Sequence, residues 1–275
     1  RGPGKFALRL RGKHKGAGNS EVPYDLMTEL LPYQGRVEFE PNDQRADATP
    51  VSLEAITGAI APAGDADWYK VTTDSGTRAL LRVELSGLPG ADLALALKDD
   101  IGNDLLVVDN MGKEQPEVLT GWGTTGGDVV LVVTEKSGKK SDPRQPYTLT
   151  KKLIPAQDGL EWEPNNSTGV VQAVKVGATV DGYFAPKGDE DWYEFNLYQK
   201  GVVVLELTGV FNGAPALTLF DQEFAERGAA AASKPGEPVN LTRELEAGTY
   251  TVRLKPADAA QNNTRDKYSF RATAK

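Results

Sequence analysis

The residues best suited to chemistry are two sets of oxygen-bearing side chains, which occur in the same order in the two halves of the chain. Calcium takes about six to eight oxygen ligands, and two loops that meet at one end of a β-sandwich can supply them. The sets are Glu38, Glu40, Asn42, Asp43, Asp65 and Asp67, and then Glu161, Glu163, Asn165, Asn166, Asp189 and Asp191. Because closely packed like charges repel, a cation would stabilise each set. The sequence therefore predicts a Ca²⁺ site in each half.

A simpler interpretation competes with calcium, because Asp, Asn and Pro are also the residues that turns prefer. The two sets differ in one position, where Asn166 replaces the acid Asp43. An amide offers an oxygen without a charge. We therefore expect the second site to be the weaker one, unless Asp181 or Glu190 compensates.

The two sets lie within a duplicated sequence. Glu38–Asp43 reads Glu-Phe-Glu-Pro-Asn-Asp, and Glu161–Asn166 reads Glu-Trp-Glu-Pro-Asn-Asn. We call this segment the Glu-Pro-Asn motif. Gly64–Tyr69 and Gly188–Tyr193 share the pattern Gly-Asp-x-Asp-Trp-Tyr, which we call the Asp-Trp-Tyr motif. Such long matches in uncommon residues indicate an internal repeat.

Each repeat ends in a similar pair of strand-like segments, which predicts a closing hairpin. Gly127 and Tyr147 mark the pair in the first repeat, and Gly248 and Tyr268 mark it in the second. A third copy of this pair of strand-like segments occurs at the start of the chain, beginning near Gly4. The predicted organisation is the C-terminal hairpin of a preceding, truncated module in residues 1–34, a β-sandwich module in 35–154, a second in 155–275, and additional modules N-terminal to this chain.

Composition and patterning predict an all-β protein. The chain has 29 glycines and 17 prolines, which punctuate short runs rich in Val, Leu and Thr. Val83 and Leu85 alternate with Glu84, as expected of a strand with one face in a core. About seven or eight such runs in each repeat favour tandem antiparallel jelly-roll-like β-sandwiches. We expect Trp68 and Trp192 to fill the two cores.

Several functions lack the residues that they need. The formal net charge of -8 argues against nucleic acid binding, which requires a basic field. No stretch of about 18 apolar residues is present to span a membrane. With no cysteine and one histidine, His14, the chain is poorly supplied for disulfides, thiol catalysis, histidine triads or zinc. We therefore expect a protein that is not an enzyme.

The chain resembles the bacterial pre-peptidase C-terminal domains, a family that includes the collagen-binding domains of clostridial collagenases. The resemblance rests on the Glu-Pro-Asn motif, the Asp-Trp-Tyr motif and the closing strand at Gly248-Thr249-Tyr250. It implies a calcium-binding jelly-roll sandwich that is secreted or surface-exposed and often binds a matrix or glycan. It also implies that the acids and Asn of the two motifs hold the calcium.

These observations favour non-catalytic, calcium-binding modules of an exported bacterial protein, located outside the cytoplasm in the medium, on the cell surface or in the periplasm. The expected roles are adhesion, substrate targeting or calcium-stiffened spacing, with a glycan or an extracellular-matrix or cell-surface ligand as partner. The alternative is a carbohydrate-active or proteolytic sandwich enzyme, because a glycosidase needs only two suitably placed carboxylates.

Overall fold

The computed structural model of the protein describes residues 7–10, 23–28, 34–73, 78–99 and 101–275. The chain forms two units, Arg1–Tyr33 and Gln34–Lys275. In the first unit, the described residues belong to no strand and their side chains are exposed. The hairpin predicted for residues 1–34 lies mostly outside the described residues, as does His14, and it stays a prediction.

The second unit contains two β-sandwich modules built on one plan. The first module comprises β1 (Thr49–Pro50), β2 (Ala55–Gly58), β3 (Ala66–Thr73), β4 (Ala79–Leu85), β5 (Leu93–Lys98), β6 (Asp104–Val108), β7 (Glu117–Thr124), β8 (Gly127–Glu135) and β9 (Tyr147–Pro155). The second comprises β10 (Gln172–Ala173), β11 (Thr179–Gly182), β12 (Asp191–Leu197), β13 (Gly201–Leu207), β14 (Pro215–Phe220), β15 (Glu226–Ala231), β16 (Val239–Leu245), β17 (Gly248–Pro256) and β18 (Tyr268–Ala274). The helical content of the described residues is one short 3₁₀ turn, Arg45–Asp47.

The strand order is that of a jelly roll. In the first module, a four-stranded sheet of order β2-β9-β4-β7 packs on a five-stranded sheet of order β1-β3-β8-β5-β6. The second module repeats this arrangement as β11-β18-β13-β16 and β10-β12-β17-β14-β15. The short strands β1 and β10 pair parallel to β3 and β12, and the other strand pairs in both modules are antiparallel. The prediction of tandem antiparallel jelly-roll-like sandwiches is confirmed.

Alternation of side chains along the strands builds each core between its two sheets. In β5, Leu93, Leu95 and Leu97 are buried, whereas the residues between them are only half-buried. Tyr69 and Val71 of β3 point into the same core, which is a single apolar cluster. Burial of a large apolar side chain of this kind contributes about 2 kcal/mol, so these alternating positions stabilise the sandwich that carries the site.

Two predictions about the modules were wrong. The last two strands of each repeat do not form a hairpin, because β8 pairs with β3 and β5 whereas β9 pairs with β2 and β4 in the opposite sheet. In a jelly roll, the chain crosses between sheets at this point. Neither tryptophan belongs to the main apolar cluster of its module. Trp68 is half-buried under the Lys98 ammonium, because Asp67 and Tyr69 take the inward positions. Trp192 is buried, at 9% exposed, but it stacks on Phe220 outside the main apolar cluster.

In the part of the chain that the structure describes, no helix has the length and apolar character needed to cross a bilayer.

The packing generates a first prediction. Leu95→Ala should lower the free energy of unfolding of the first module by about 3 kcal/mol, because Leu95 is completely buried and the mutation leaves a cavity. Denaturant unfolding followed by circular dichroism measures the change. Leu105→Ala is the control, since Leu105 is 45% exposed, and it should change stability by less than about 0.5 kcal/mol. Equal losses for the two variants would contradict the assigned core.

Candidate cation sites

The two predicted oxygen sets lie at corresponding ends of the two sandwiches. In the first module, β2 ends at Gly58, β3 begins at Ala66 and β9 begins at Tyr147, and these strand ends surround the acidic side chains. Gly58 must be a glycine here. A Cβ at this position would lie 2.4 Å or less from the hydroxyl groups of Tyr69 and Tyr147 and the carboxylate of Glu38.

In the first module, Glu38, Glu40 and Asp67 converge. Each can place one carboxylate oxygen within 4.8 Å of the others. Two buried phenols hold this group from the core side. Tyr69 Oη donates to Glu38 Oε2 at 2.7 Å, Tyr147 Oη donates to Asp67 Oδ2 at 2.5 Å, and the two hydroxyls are 2.6 Å apart. The phenols thus orient two carboxylates toward one point.

The second module repeats this geometry with Glu161, Glu163 and Asp191, whose oxygens also come within 4.8 Å of one another. Tyr268 Oη donates to Glu161 Oε1 at 2.6 Å and lies 2.7 Å from Tyr193 Oη. In contrast to Asp67, Asp191 receives no phenol hydroxyl or N–H on its buried carboxylate oxygens, which face the Glu161 carboxyl instead.

The remaining residues of the two sets surround these triads. Asn42 and Asn165 are fully buried, and each backbone N–H donates to the neighbouring glutamate of its triad at 2.9 Å. Asn42 Oδ1 is buried without a hydrogen-bond donor, as is Asp67 Oδ1. With its amide oriented to satisfy its neighbours, Asn166 donates to Glu163 Oε2 at 2.8 Å. These amides are therefore close enough to the carboxylates to belong to the sites.

Asp65 and Asp189 lie beside the triads and are held by the loop before the strand. Asp65 Oδ2 accepts from the Ala61 N–H at 2.6 Å, and Asp189 Oδ2 accepts from the Ala185 N–H at 2.8 Å. Desolvation raises the pKa of Asp65, and the exposed carboxylate of Asp43 lies close enough to raise it further. All twelve predicted residues thus gather at the two ends, six at each.

Burial makes these acids hard to ionise. Desolvation, followed by the charge of Glu38, raises the pKa of Asp67 to about 9. In the second module, desolvation and the charge of Glu161 raise the pKa of Glu163 to about 8. The pKa values of Asp189 and Asp191 are also raised well above the ordinary value, first by desolvation and then by neighbouring carboxylates. A bound cation would therefore stabilise the ionised carboxylates of each cluster.

The two sites differ in exposure. Glu40 is open to solvent, whereas Glu163 is 5% exposed. The second site is covered by β7 of the first module, where Glu163 N–H donates to Gly121 C=O at 2.9 Å and Gly123 N–H donates to Glu163 C=O at 2.7 Å. The second Glu-Pro-Asn motif is therefore part of the joint between the modules.

The compensating acids that the sequence suggested do not reach the second site. Asp181 bonds Lys267 Nζ and Ser269 Oγ, both at 2.5 Å. Glu190, just before β12, pairs with Arg253 at 3.7 Å. Both acids are thus held by basic side chains outside the triad, which does not support their compensating for Asn166.

Sequence reasoning missed the residues that orient the carboxylates. These are the tyrosine pairs and the glycines that make room for them: Tyr69, Tyr147, Tyr193, Tyr268, Gly58 and Gly182. The repeat itself carried the signal, because each of these residues has a counterpart in the other copy. Their role in orienting the carboxylates could not be predicted, since the two tyrosines of a pair are far apart in the sequence.

The donor set fits a hard divalent cation. Every side chain in the two triads offers oxygen, and buried oxygens without donors remain in both, at Asp67 and Asp191. In water-poor surroundings, such oxygens are satisfied by protons or by a metal. Calcium accepts carboxylate and amide oxygens in irregular geometry, so the residues present suit it.

No protein-family model matches this chain, and no curated protein is significantly similar to it. The pre-peptidase C-terminal domain of a collagenase from Bacillus anthracis is 11% identical with a TM-score of 0.32, and the similarity covers 38% of this chain and 94% of that domain. The tandem CBM22 domains of Xyn10C from Paenibacillus barcinonensis are 12% identical with a TM-score of 0.24, covering 75% and 82%. The CUB1-EGF-CUB2 domains of human MASP-1/3 are 10% identical with a TM-score of 0.26, covering 80% and 100%. These values are too low to carry a conclusion about function.

The raised pKa values generate a prediction about pH. Without added cation, the folded chain holds protons on Asp67 and Glu163 up to about pH 9 and about pH 8, whereas the unfolded chain releases them near the ordinary values of 3.8 and 4.5. Stability must therefore fall as pH rises through this window. Urea unfolding in chelator at pH 5 and pH 8 should give the lower free energy of unfolding at pH 8.

Asp67→Asn provides the control for this experiment, because the amide has no proton to lose and nearly the same shape. The variant should show a weaker pH dependence than the wild type between the same two pH values. A wild-type protein that becomes more stable toward pH 8 in chelator would contradict the raised pKa values.

Proposed function

We propose that this chain is a pair of non-catalytic, calcium-binding β-sandwich modules from an exported bacterial protein that acts outside the cytoplasm. One observation carries the proposal. Asp191 is fully buried beside Glu161 and Glu163, and both of its carboxylate oxygens lack a donor. A buried, unpaired carboxylate is costly. A divalent cation among the three would remove that cost.

The ligand chemistry favours calcium over other metals. Zinc prefers nitrogen and sulfur, and the triads contain neither. Magnesium demands octahedral geometry and keeps several waters, which suits a closed and irregular cluster poorly. The amide oxygens of Asn42 and Asn165 would complete an irregular, all-oxygen shell. The Glu-Pro-Asn and Asp-Trp-Tyr motifs support the same choice, through their resemblance to pre-peptidase C-terminal domains.

The enzyme alternative is less well supported by the surface of the modules. A groove of about 450 Å³ beside the joint has one carboxylate, Asp158, among its lining residues. A second groove of about 290 Å³ is lined by four acids, Asp221, Glu223, Glu244 and Glu246. Asp221 pairs with Arg227, and Glu244 and Glu246 both face Lys200. Glycoside hydrolysis needs an acid with a raised pKa facing an ionised carboxylate across a cleft. The described lining of the first groove lacks a second carboxylate, and three of the four acids in the second groove pair with a basic side chain instead.

Calcium should stabilise the folded protein, because it binds the assembled clusters and not the unfolded chain. At a concentration about 100 times its dissociation constant, one site contributes about 2.7 kcal/mol. Thermal unfolding in calcium and in chelator measures the shift. Asp67→Asn and Asp191→Asn should each remove part of it, and the double variant should remove it entirely.

Asp158→Asn is the matched control for this experiment, since it removes an exposed carboxylate outside both clusters, and it should keep the full calcium shift. A wild-type unfolding temperature that is the same in calcium and chelator would refute the calcium proposal.

The two biological roles of such modules can be separated by binding measurements. Exposed aromatic side chains in the second module, at Tyr198 and Phe211, are 92% and 78% exposed and could stack on a glycan or contact a matrix protein. A glycan and matrix array, with and without chelator, tests this directly. Binding that is lost on changing either residue to Ala assigns adhesion or targeting, and no binding to any component assigns a spacer.

A further inference from the structure

Strand β7 of the first module packs over the second cation site. Strand β7 is an edge strand, and it bulges where its pairing with β4 shifts register. Next to this bulge, Trp122 and Glu163 form a parallel bridge. Both backbone polar groups of Glu163 are therefore held by the first module, while its side chain belongs to the triad of the second.

Trp162 fixes the same contact from the other direction. Its indole lies against Gly123, where an added Cβ would be 2.0 Å from a ring atom. The Arg78 guanidinium, also from the first module, lies 4.4 Å from the ring centroid on the indole. Arg stacking of this kind is worth about 0.5–2 kcal/mol. The residue between two triad glutamates is thus enclosed by the neighbouring module.

A second contact between the modules lies away from this strand. Lys187 Nζ donates to the Asn110 C=O at 2.6 Å. Asn262 of the second module also contacts Met111 of the first. The joint therefore has two separate areas of contact, and one of them includes the backbone of the cation site.

The corresponding strand of the second module lacks the features that receive the motif. β16 pairs with β13 without a register shift, and it has Arg243 and Glu244 where β7 has Trp122 and Gly123. Arg243 Nε donates to the Arg227 C=O on the adjacent β15. The bulge of β7 and the glycine that receives Trp162 are therefore found in the first module and are not a general property of the fold.

We infer that docking of the two modules and cation binding at the second site are thermodynamically linked through Gly123, Trp162 and the backbone of Glu163. This inference rests on the proposed calcium site. Docking fixes the backbone that carries Glu161 and Glu163. These two side chains are therefore held near Asp191 before the cation binds. Linkage is reciprocal, so calcium must strengthen the docking by the same factor.

Calcium titration of the full chain by calorimetry tests the inference. An Asp67→Asn background isolates the second site, and an Asp191→Asn background isolates the first. Gly123→Val should weaken the second site about 10-fold, within the range of typical coupling between sites. The same substitution should leave the first site unchanged. Gly169→Val is the matched control, because Gly169 is exposed and an added Cβ would meet only an ordinary contact with Ser167 Oγ at 3.9 Å, and it should leave both sites unchanged.

Trp162→Ala is a second variant, needed because Gly123→Val could act simply by unfolding β7. This variant removes a side chain and cannot clash, and it should also weaken only the second site. If the second site binds calcium equally well in wild type, Gly123→Val and Trp162→Ala, the linkage is wrong and the calcium proposal stands. If neither background binds calcium, the proposed function itself is wrong.

Distances between the modules supply an independent readout. The chain has no native cysteine, so spin labels can be placed at Lys139→Cys and Tyr198→Cys, two exposed positions in different modules. Calcium should narrow the distance distribution in the wild type and leave it unchanged in the Asp191→Asn background. A distribution that calcium does not alter in the wild type would overturn the linkage.

Discussion

Carboxyl groups that have lost their water are the strongest constraint on this molecule, because they are costly to ionise where they lie. In the second module, Glu161, Glu163, Asp189 and Asp191 are each at most 5% exposed. Packing alone cannot stabilise such a group, because desolvation of a charge costs several kcal/mol per ion. The tyrosine hydroxyls and backbone N–H groups around the cluster offset part of this cost. The remaining cost must be met by protons or by a bound cation at this end of the sandwich.

Much of the fold and the membership of the site could be predicted from the sequence, because both depend on patterns that the repeat presents twice. Strand alternation and turn residues specify a sandwich, and the acids of the two motifs are local in sequence. Pairing partners are not local. The segments β8 and β9 look like a hairpin in sequence, but strands that face across a core alternate in the same way as strands that pair.

Other features were hidden for related reasons. Alternation places every second residue on one face without saying which face is inside, so Trp68 was expected in the core where Tyr69 lies instead. The two repeats also look equivalent in sequence, yet Glu40 is exposed and Glu163 is covered. This difference comes from β7, which belongs to another module. No property of the Glu-Pro-Asn motif itself could reveal it.

The backbone bonds between β7 and Glu163 have a consequence for solubility. An edge strand has unpaired N–H and C=O groups that can recruit strands from other chains, and natural proteins protect such edges. Here, the protection comes from the next module on the same polypeptide, which occupies Gly121 and Gly123. A tethered neighbour reaches this edge before any other molecule can, because its effective concentration is high. Tandem arrangement therefore keeps this edge from pairing with strands of other copies.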